Sequence, residues 1–177
     1  MDTGDEVPDF ELPDQDGTPR RLSTLLAGGG PPGSWSRGAP ANEGVAGGGE
    51  AGGGGPIVLF FYPAAMTSGC TKEACHFRDL AAEFRRAGVQ RVGISRDDVS
   101  KQKQFSDQHS FDYPLLADID GSVAELFGVR RGRIGERLGA PVKRWTFAIG
   151  TDRRVVAAIH SEVNMQTHAD EALAALT

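Results

Sequence analysis

The spacing of apolar residues changes abruptly along the chain. The run "PIVLFFYP" is apolar at every position from Ile57 to Tyr62, which predicts a central strand buried on both faces. Downstream, Phe77, Leu80, Ala81 and Phe84 recur at i, i+3, i+4 and i+7, which predicts a helix with one buried stripe, stopped at Gly88. "VQRVGIS" reads as the next strand and "DDVSKQKQFSDQHS" as a polar, mostly exposed helix. "YPLLAD" reads as a short strand, "GSVAELFGV" as a short helix ending at Gly128, and "RRGRIGERLGAP" as a loop. "KRWTFAI" and "RRVVAAIH", joined through Gly150 to Asp152, predict an antiparallel hairpin. "THADEALAALT" closes the chain as a helix with Thr167 as its N-cap. Ahead of the central strand, "DFELPDQDGTPRRL" holds two short extended pieces around the turn signal Asp16-Gly17, followed by the brief helical segment "LSTLL". This order implies an α/β fold, a mixed sheet with helices on both faces and an N-terminal β-hairpin.

Composition refines that picture. A chain of 177 residues, 39% hydrophobic, suits one globular domain over residues 1–177. From Gly28 to Gly55, however, glycine dominates and there is almost nothing to bury. Such a segment cannot offset the entropy of ordering and reads as a flexible loop. Growing a loop from about five to about 28 residues costs only about 1.5 kcal/mol in closure entropy, so a neutral insertion is the simplest reading. Trp35 and Arg37 within it would be the residues of any short recognition motif. The net charge of −5 and the lack of long basic runs argue against nucleic acid or an anionic membrane as partner. The N-terminus "MDTGDEVPDF" lacks the apolar core of a secretory signal, and no run is long enough to span a bilayer. A cytoplasmic location is expected, where paired cysteines are more often metal-binding or catalytic than structural.

The only cysteines, Cys70 and Cys75, lie five residues apart in "FYPAAMTSGCTKEACHF". As a zinc site they would supply half the ligands, and no second Cys or His cluster follows. His76, His109, His160 and His168 are scattered and read as ordinary surface or partly buried groups, His76 as an exposed bystander of Cys75. On one regular helix the two cysteine Cα atoms would stand roughly 8–9 Å apart. A disulfide needs less than about 7 Å. Cys70 would share the inward stripe of Phe77, and Cys75 would point outward, roughly 200° from Phe77 around the helix. A bridge therefore requires the helix start to unwind, which suits a switch better than a staple. Cys70 follows a strand end and Thr67-Ser68-Gly69, so it falls in the first helical turn. Free backbone N–H groups and the helix dipole there favour a thiolate, the nucleophilic form.

Pro63, Thr67 and Cys70 also match the pattern P-x-x-x-T-x-x-C, and the segment resembles the active site of the peroxiredoxins. The second cysteine five residues on resembles the peroxiredoxin Q, or bacterioferritin comigratory protein, group. "PDFELPDQDG", "GISRDD", "YPLLAD", "FGV" and "RWTFAIG" extend the likeness over nearly the whole chain apart from the glycine segment. The resemblance implies a thioredoxin-like fold and a thiol peroxidase that uses no metal, flavin or haem. Cys70 would attack a hydroperoxide and become a sulfenic acid. Cys75 would condense with it to an intrasubunit disulfide, which thioredoxin or a similar dithiol would reduce. Arg144 would hold the thiolate and the peroxide oxygens, and Thr67 and a backbone N–H of Gly69 or Cys70 would orient them. Pro63 would shield the pocket, and Glu73 would help position Arg144 or the helix start.

The chain departs from the family pattern in three places. Ser68 stands where proline is usual, His76 replaces a residue that is commonly small, and the glycine segment has no counterpart. That insertion leaves monomer and weak homodimer both open. Two other functions compete. A thioredoxin-like disulfide oxidoreductase without peroxidase activity would need C-x-x-C, and a copper carrier on the same fold would need C-x₃-C with a distant histidine; neither spacing is present.

Overall fold

The structure is a computed structural model and describes residues 1–28 and 54–177. The glycine segment predicted at 28–55 therefore lies almost entirely outside the described residues. Chain order begins with a small antiparallel pair, β1 (Glu11–Pro13) and β2 (Pro19–Arg21), followed by α1 (Leu22–Leu26). The main sheet starts with β3 (Ile57–Phe61), then α2 (Ser68–Asp79), α3 (Ala81–Ala87), β4 (Gln90–Ser95), α4 (Val99–His109) and β5 (Leu115–Ala117). It continues through α5 (Ser122–Leu126), α6 (Arg133–Arg137), β6 (Trp145–Ile149), β7 (Val155–His160) and α7 (Thr167–Ala175).

The five-stranded sheet has the order β5-β4-β3-β6-β7. β3 runs parallel to β4 and antiparallel to β6, so it is central, as its unbroken apolar run requires. The two-residue period of β3 divides the core. Val58, Phe60 and the following Tyr62 pack with residues of α2, α3, α4 and α7. Ile57, Leu59 and Phe61 pack on the other face with α1, α5 and the N-terminal segment. Phe60 stacks on Phe77 of α2 with ring centroids 4.2 Å apart, which seats α2 over the central strand.

Three expectations change. The stripe from Phe77 to Phe84 runs across two helices, because the backbone leaves helical geometry at Leu80 (φ −86°, ψ 17°). Near that break, Arg91 Nη1 donates to the Phe77 carbonyl at 2.6 Å. The "RRGRIGERLGAP" loop contains the helix α6. That helix buries no residue, so tertiary packing imposed no apolar periodicity on it; local bonds such as Leu138 N–H to the Ile134 carbonyl (3.1 Å) form it. Thr167 is the first residue of α7 rather than its cap, a place taken by Gln166 without a side-chain bond.

Candidate active site

The site lies where the C-terminal end of β3 meets the start of α2. The buried residues of α2 are Cys70, Glu73, Ala74 and Phe77, an i, i+3, i+4, i+7 stripe with a thiol and a carboxyl among its apolar members. Arg144 precedes β6, which pairs with β3 in a register that opposes Phe61 and Trp145. Its side chain therefore lies next to the start of α2. Arg144 Nη2 donates to Cys70 Sγ at 3.3 Å, and Nη1 donates to Glu73 Oε2. All three side chains are buried. Gly69 lies against this pair, since a Cβ there would stand 3.4 Å from Arg144 Nη2, an ordinary contact distance. From the other side, Glu162 accepts from the Arg144 backbone N–H (3.4 Å) and from Arg131 Nη2 (2.5 Å).

The loop from Pro63 to Thr67 is fixed from β4. Asp97 Oδ2 accepts from the Ala65 N–H at 2.7 Å and from Ser95 Oγ at 2.8 Å. Met66 adopts a left-handed φ of 67° in this turn. Thr67 occupies the N-cap position of α2 but makes no side-chain cap bond; its hydroxyl donates to the Ala64 carbonyl at 2.9 Å. The hydroxyl proton is thus committed to that carbonyl, and the oxygen can still accept. Ser68 is the first helical residue, not the cap. Pro63 is half-buried.

The structure thus brings Pro63, Thr67, Gly69, Cys70, Glu73 and Arg144 to one place. Cys75 is not with them. It lies half-buried beside the same apolar cluster as Cys70, rather than turned out to solvent, and faces the end of α4. Its Sγ is 3.9 Å from His109 Nδ1. Both cysteines are free thiols. His76 is no bystander, since its Nε2 pairs with Asp170 of α7 at 2.8 Å.

His168 departs furthest from expectation, because it is fully buried. Its Nε2 lies 2.8 Å from the Ser161 carbonyl, so the proton sits there and Nδ1 accepts from the Thr146 hydroxyl at 2.9 Å. Nδ1 also lies 3.8 Å from Glu73 Oε1, an oxygen with no hydrogen-bond partner. Burial holds His168 below the usual histidine range. Burial also drives the Glu73 carboxyl up to about 8, against the pull of Arg144. One cation, Arg144, therefore faces both the Cys70 thiol and the Glu73 carboxyl.

Tyr62, Gln102 and Asp97 carry no sequence signal of a supporting role, yet they join in one hydrogen-bonded network. Tyr62 donates to Gln102 Oε1, and Gln102 Nε2 donates to Ser95 Oγ (3.0 Å) and the Leu116 carbonyl (2.8 Å), all beneath the site. Gln102, Phe105 and Ser106 form the buried face of α4 at i, i+3, i+4. That spacing is visible in the sequence once polar residues are admitted to a buried face.

A buried thiol at a helix start, held by a guanidinium beside the central strand of a mixed sheet, defines a thiol redox centre on a thioredoxin-like fold. The sequence model of the AhpC/TSA family matches residues 50–158. The structure is similar to peroxidoxin BcpB from Mycobacterium tuberculosis, with a TM-score of 0.80 and 54% identity over 99% of this chain and 96% of that one. It is also similar to the bacterioferritin comigratory protein of Xanthomonas campestris, solved in complexes that address alkyl peroxide reduction (TM-score 0.71, 28% identity, 94% and 89% covered). The chloroplastic peroxiredoxin Q of Arabidopsis thaliana is 32% identical over 98% of this chain and 66% of its own length. The chain belongs to the AhpC/TSA family of peroxiredoxins, in the peroxiredoxin Q and bacterioferritin comigratory protein group, and is a thiol peroxidase by class.

Proposed function

We propose that the protein reduces hydrogen peroxide and organic hydroperoxides through a two-cysteine cycle within one chain. The observation that carries this reading is the contact of Arg144 Nη2 with Cys70 Sγ at 3.3 Å, both groups being buried. A guanidinium in a low-dielectric site favours the thiolate and leaves further donors for the peroxide. The Cys70 thiolate attacks the terminal peroxide oxygen. An S–O bond forms, the O–O bond breaks, and the departing oxide takes a proton to leave as water or alcohol. Arg144 and the backbone N–H groups at the start of α2 meet the charge that develops on the O–O bond, and the Thr67 oxygen orients the peroxide by accepting from its O–H. Glu73 fixes the guanidinium, and Pro63 limits water. Cys70 is now a sulfenic acid. Cys75 attacks its sulfur, water leaves, and a Cys70–Cys75 disulfide remains. A thioredoxin-like dithiol reduces that bond by exchange. The cycle suits a reducing compartment such as the cytoplasm.

Because Cys75 sits against α4 while Cys70 sits under Arg144, α2 has to open before the bridge can close. Mass analysis of peptides after one equivalent of hydrogen peroxide tests the cycle. The expected product is a Cys70–Cys75 linked peptide two hydrogens lighter. Cys70→Ser should abolish peroxide consumption, whereas Cys75→Ser should keep the first oxidation but stall thioredoxin-linked turnover. Insulin reduction without peroxide consumption would instead favour a disulfide oxidoreductase.

A further inference from the structure

The mechanism above leaves the proton of Cys75 unassigned. A thiol attacks a sulfenic sulfur as its thiolate, so something must take that proton first. Burial pushes the Cys75 thiol up, Arg78 pulls it down and Asp79 adds to the rise. The groups that face it come from three elements. On α2, Arg78 is committed to Asp79 at 2.7 Å and to the His109 carbonyl at 2.8 Å. Before β5, Tyr113 donates to the Ala74 carbonyl at 2.7 Å, and Asp112 is paired with Arg91 of β4 at 2.7 Å. At the end of α4, His109 Nδ1 stands 3.9 Å from Cys75 Sγ, within reach of a hydrogen bond to sulfur.

His109 is also held in place. Its ring stacks on Phe111, with centroids 5.6 Å apart, and meets Phe105 edge-on at 5.3 Å. Among the described residues it is the one imidazole within hydrogen-bond reach of the Cys75 sulfur, and Asp79 is engaged by Arg78. We infer that His109 is a catalytic residue of the resolving step, the proton acceptor that converts the Cys75 thiol to thiolate. This rests on the reading that Cys75 resolves Cys70. The S–H proton passes to Nδ1, and the new charge lies near Arg78. The thiolate then attacks the Cys70 sulfenic sulfur, an S–S bond forms and the S–O bond breaks. The hydroxide released is protonated to water, and the imidazolium returns its proton to solvent. Imidazole is suited to this role because it changes charge near neutral pH.

The test uses the full chain with His109→Phe, which keeps the ring packing, and His109→Gln, which keeps an acceptor but no useful base. Reduced protein is mixed with one equivalent of hydrogen peroxide and quenched at intervals with a sulfenic-acid trap. Mass spectrometry then follows the sulfenic acid and the disulfide separately. In both variants the first oxidation should stay within about two-fold of the unsubstituted protein. Disulfide formation at pH 7 should slow at least ten-fold, and the deficit should close towards pH 9–10 as solvent deprotonates the thiol unaided. Unchanged disulfide formation at pH 7 overturns the proposal. So does a deficit that is equal at every pH, because lost packing alone would give that. If the unsubstituted protein forms no Cys70–Cys75 bridge, the underlying reading falls and His109 with it.

Discussion

Glu73 offers a sharp test of the site's electrostatics. It is a carboxyl in the apolar stripe of α2, fully buried, with one oxygen on Arg144 and the other unpartnered. Burial raises it from its ordinary 4.5 to about 8 despite Arg144. Between those values the folded protein holds a proton that the unfolded chain has released. Stability must therefore fall as pH rises through that interval, by at most about 1.4 kcal/mol per pH unit. Over the interval the loss is on the order of 5 kcal/mol, a large share of the total for a domain of this size. Glu73→Gln keeps the shape and removes the titration. Urea unfolding of the reduced proteins at pH 5, 6, 7 and 8 measures the difference. With an m-value of about 2 kcal/mol per molar, the unsubstituted protein should lose up to about 0.7 M in midpoint per pH unit relative to the variant. The burial that lowers His168 gives a slope of opposite sign below 6.5, and because His168 touches Glu73 the two are coupled, so the interval from pH 7 to 8, above the range in which His168 contributes, is the decisive one. A difference that is flat from pH 7 to 8, or that grows in favour of the glutamate, would refute the reasoning. It would mean that Arg144 outweighs burial.

Three further outcomes are expected. Arg144→Lys supplies one point charge in place of a planar fork and cannot serve Cys70 and Glu73 together, so the rate of peroxide reduction should fall about 10²–10³-fold in a stopped-flow assay. Tyr62→Phe leaves the buried Gln102 Oε1 unsatisfied, which should cost about 1–3 kcal/mol and lower Tm by roughly 3–10 °C in a thermal melt. Tyr113→Phe removes the bond that ties its hydroxyl to Ala74 of α2; with about 1 kcal/mol less to break, α2 should open more readily and disulfide formation should speed up roughly five-fold in the quenched time course.

Much of the architecture was legible because burial writes itself into spacing. The all-apolar run of β3 marked the central strand, and its flanking segments marked an α/β order. The break at Leu80 was not legible, since the apolar stripe continues across it into α3. Nor was α6, which buries nothing and so carries no period. At the site, Cys70, Thr67 and Pro63 were legible because they share one short motif, and Arg144 because its strand resembled the family's. His168 and Gln102 were not, because a polar residue in a single sequence does not show that it is buried and bonded.

The sequence by itself determined the local setting of Cys70. A thiol two residues past a helix start will meet free N–H groups whatever surrounds it, because that follows from local backbone geometry. The five-residue spacing equally determined that the two thiols cannot bridge on an intact helix. Only the tertiary structure decided which groups share their charge with those thiols. The pairing of β3 with β6 delivers Arg144 to Cys70 across 74 residues of chain. The packing of α4 and α7 against α2 brings His109 to Cys75 and His168 to Glu73. Proton and charge transfer depend on contacts of a few ångströms, and such contacts between distant residues exist only once the sheet and its helices have closed around them.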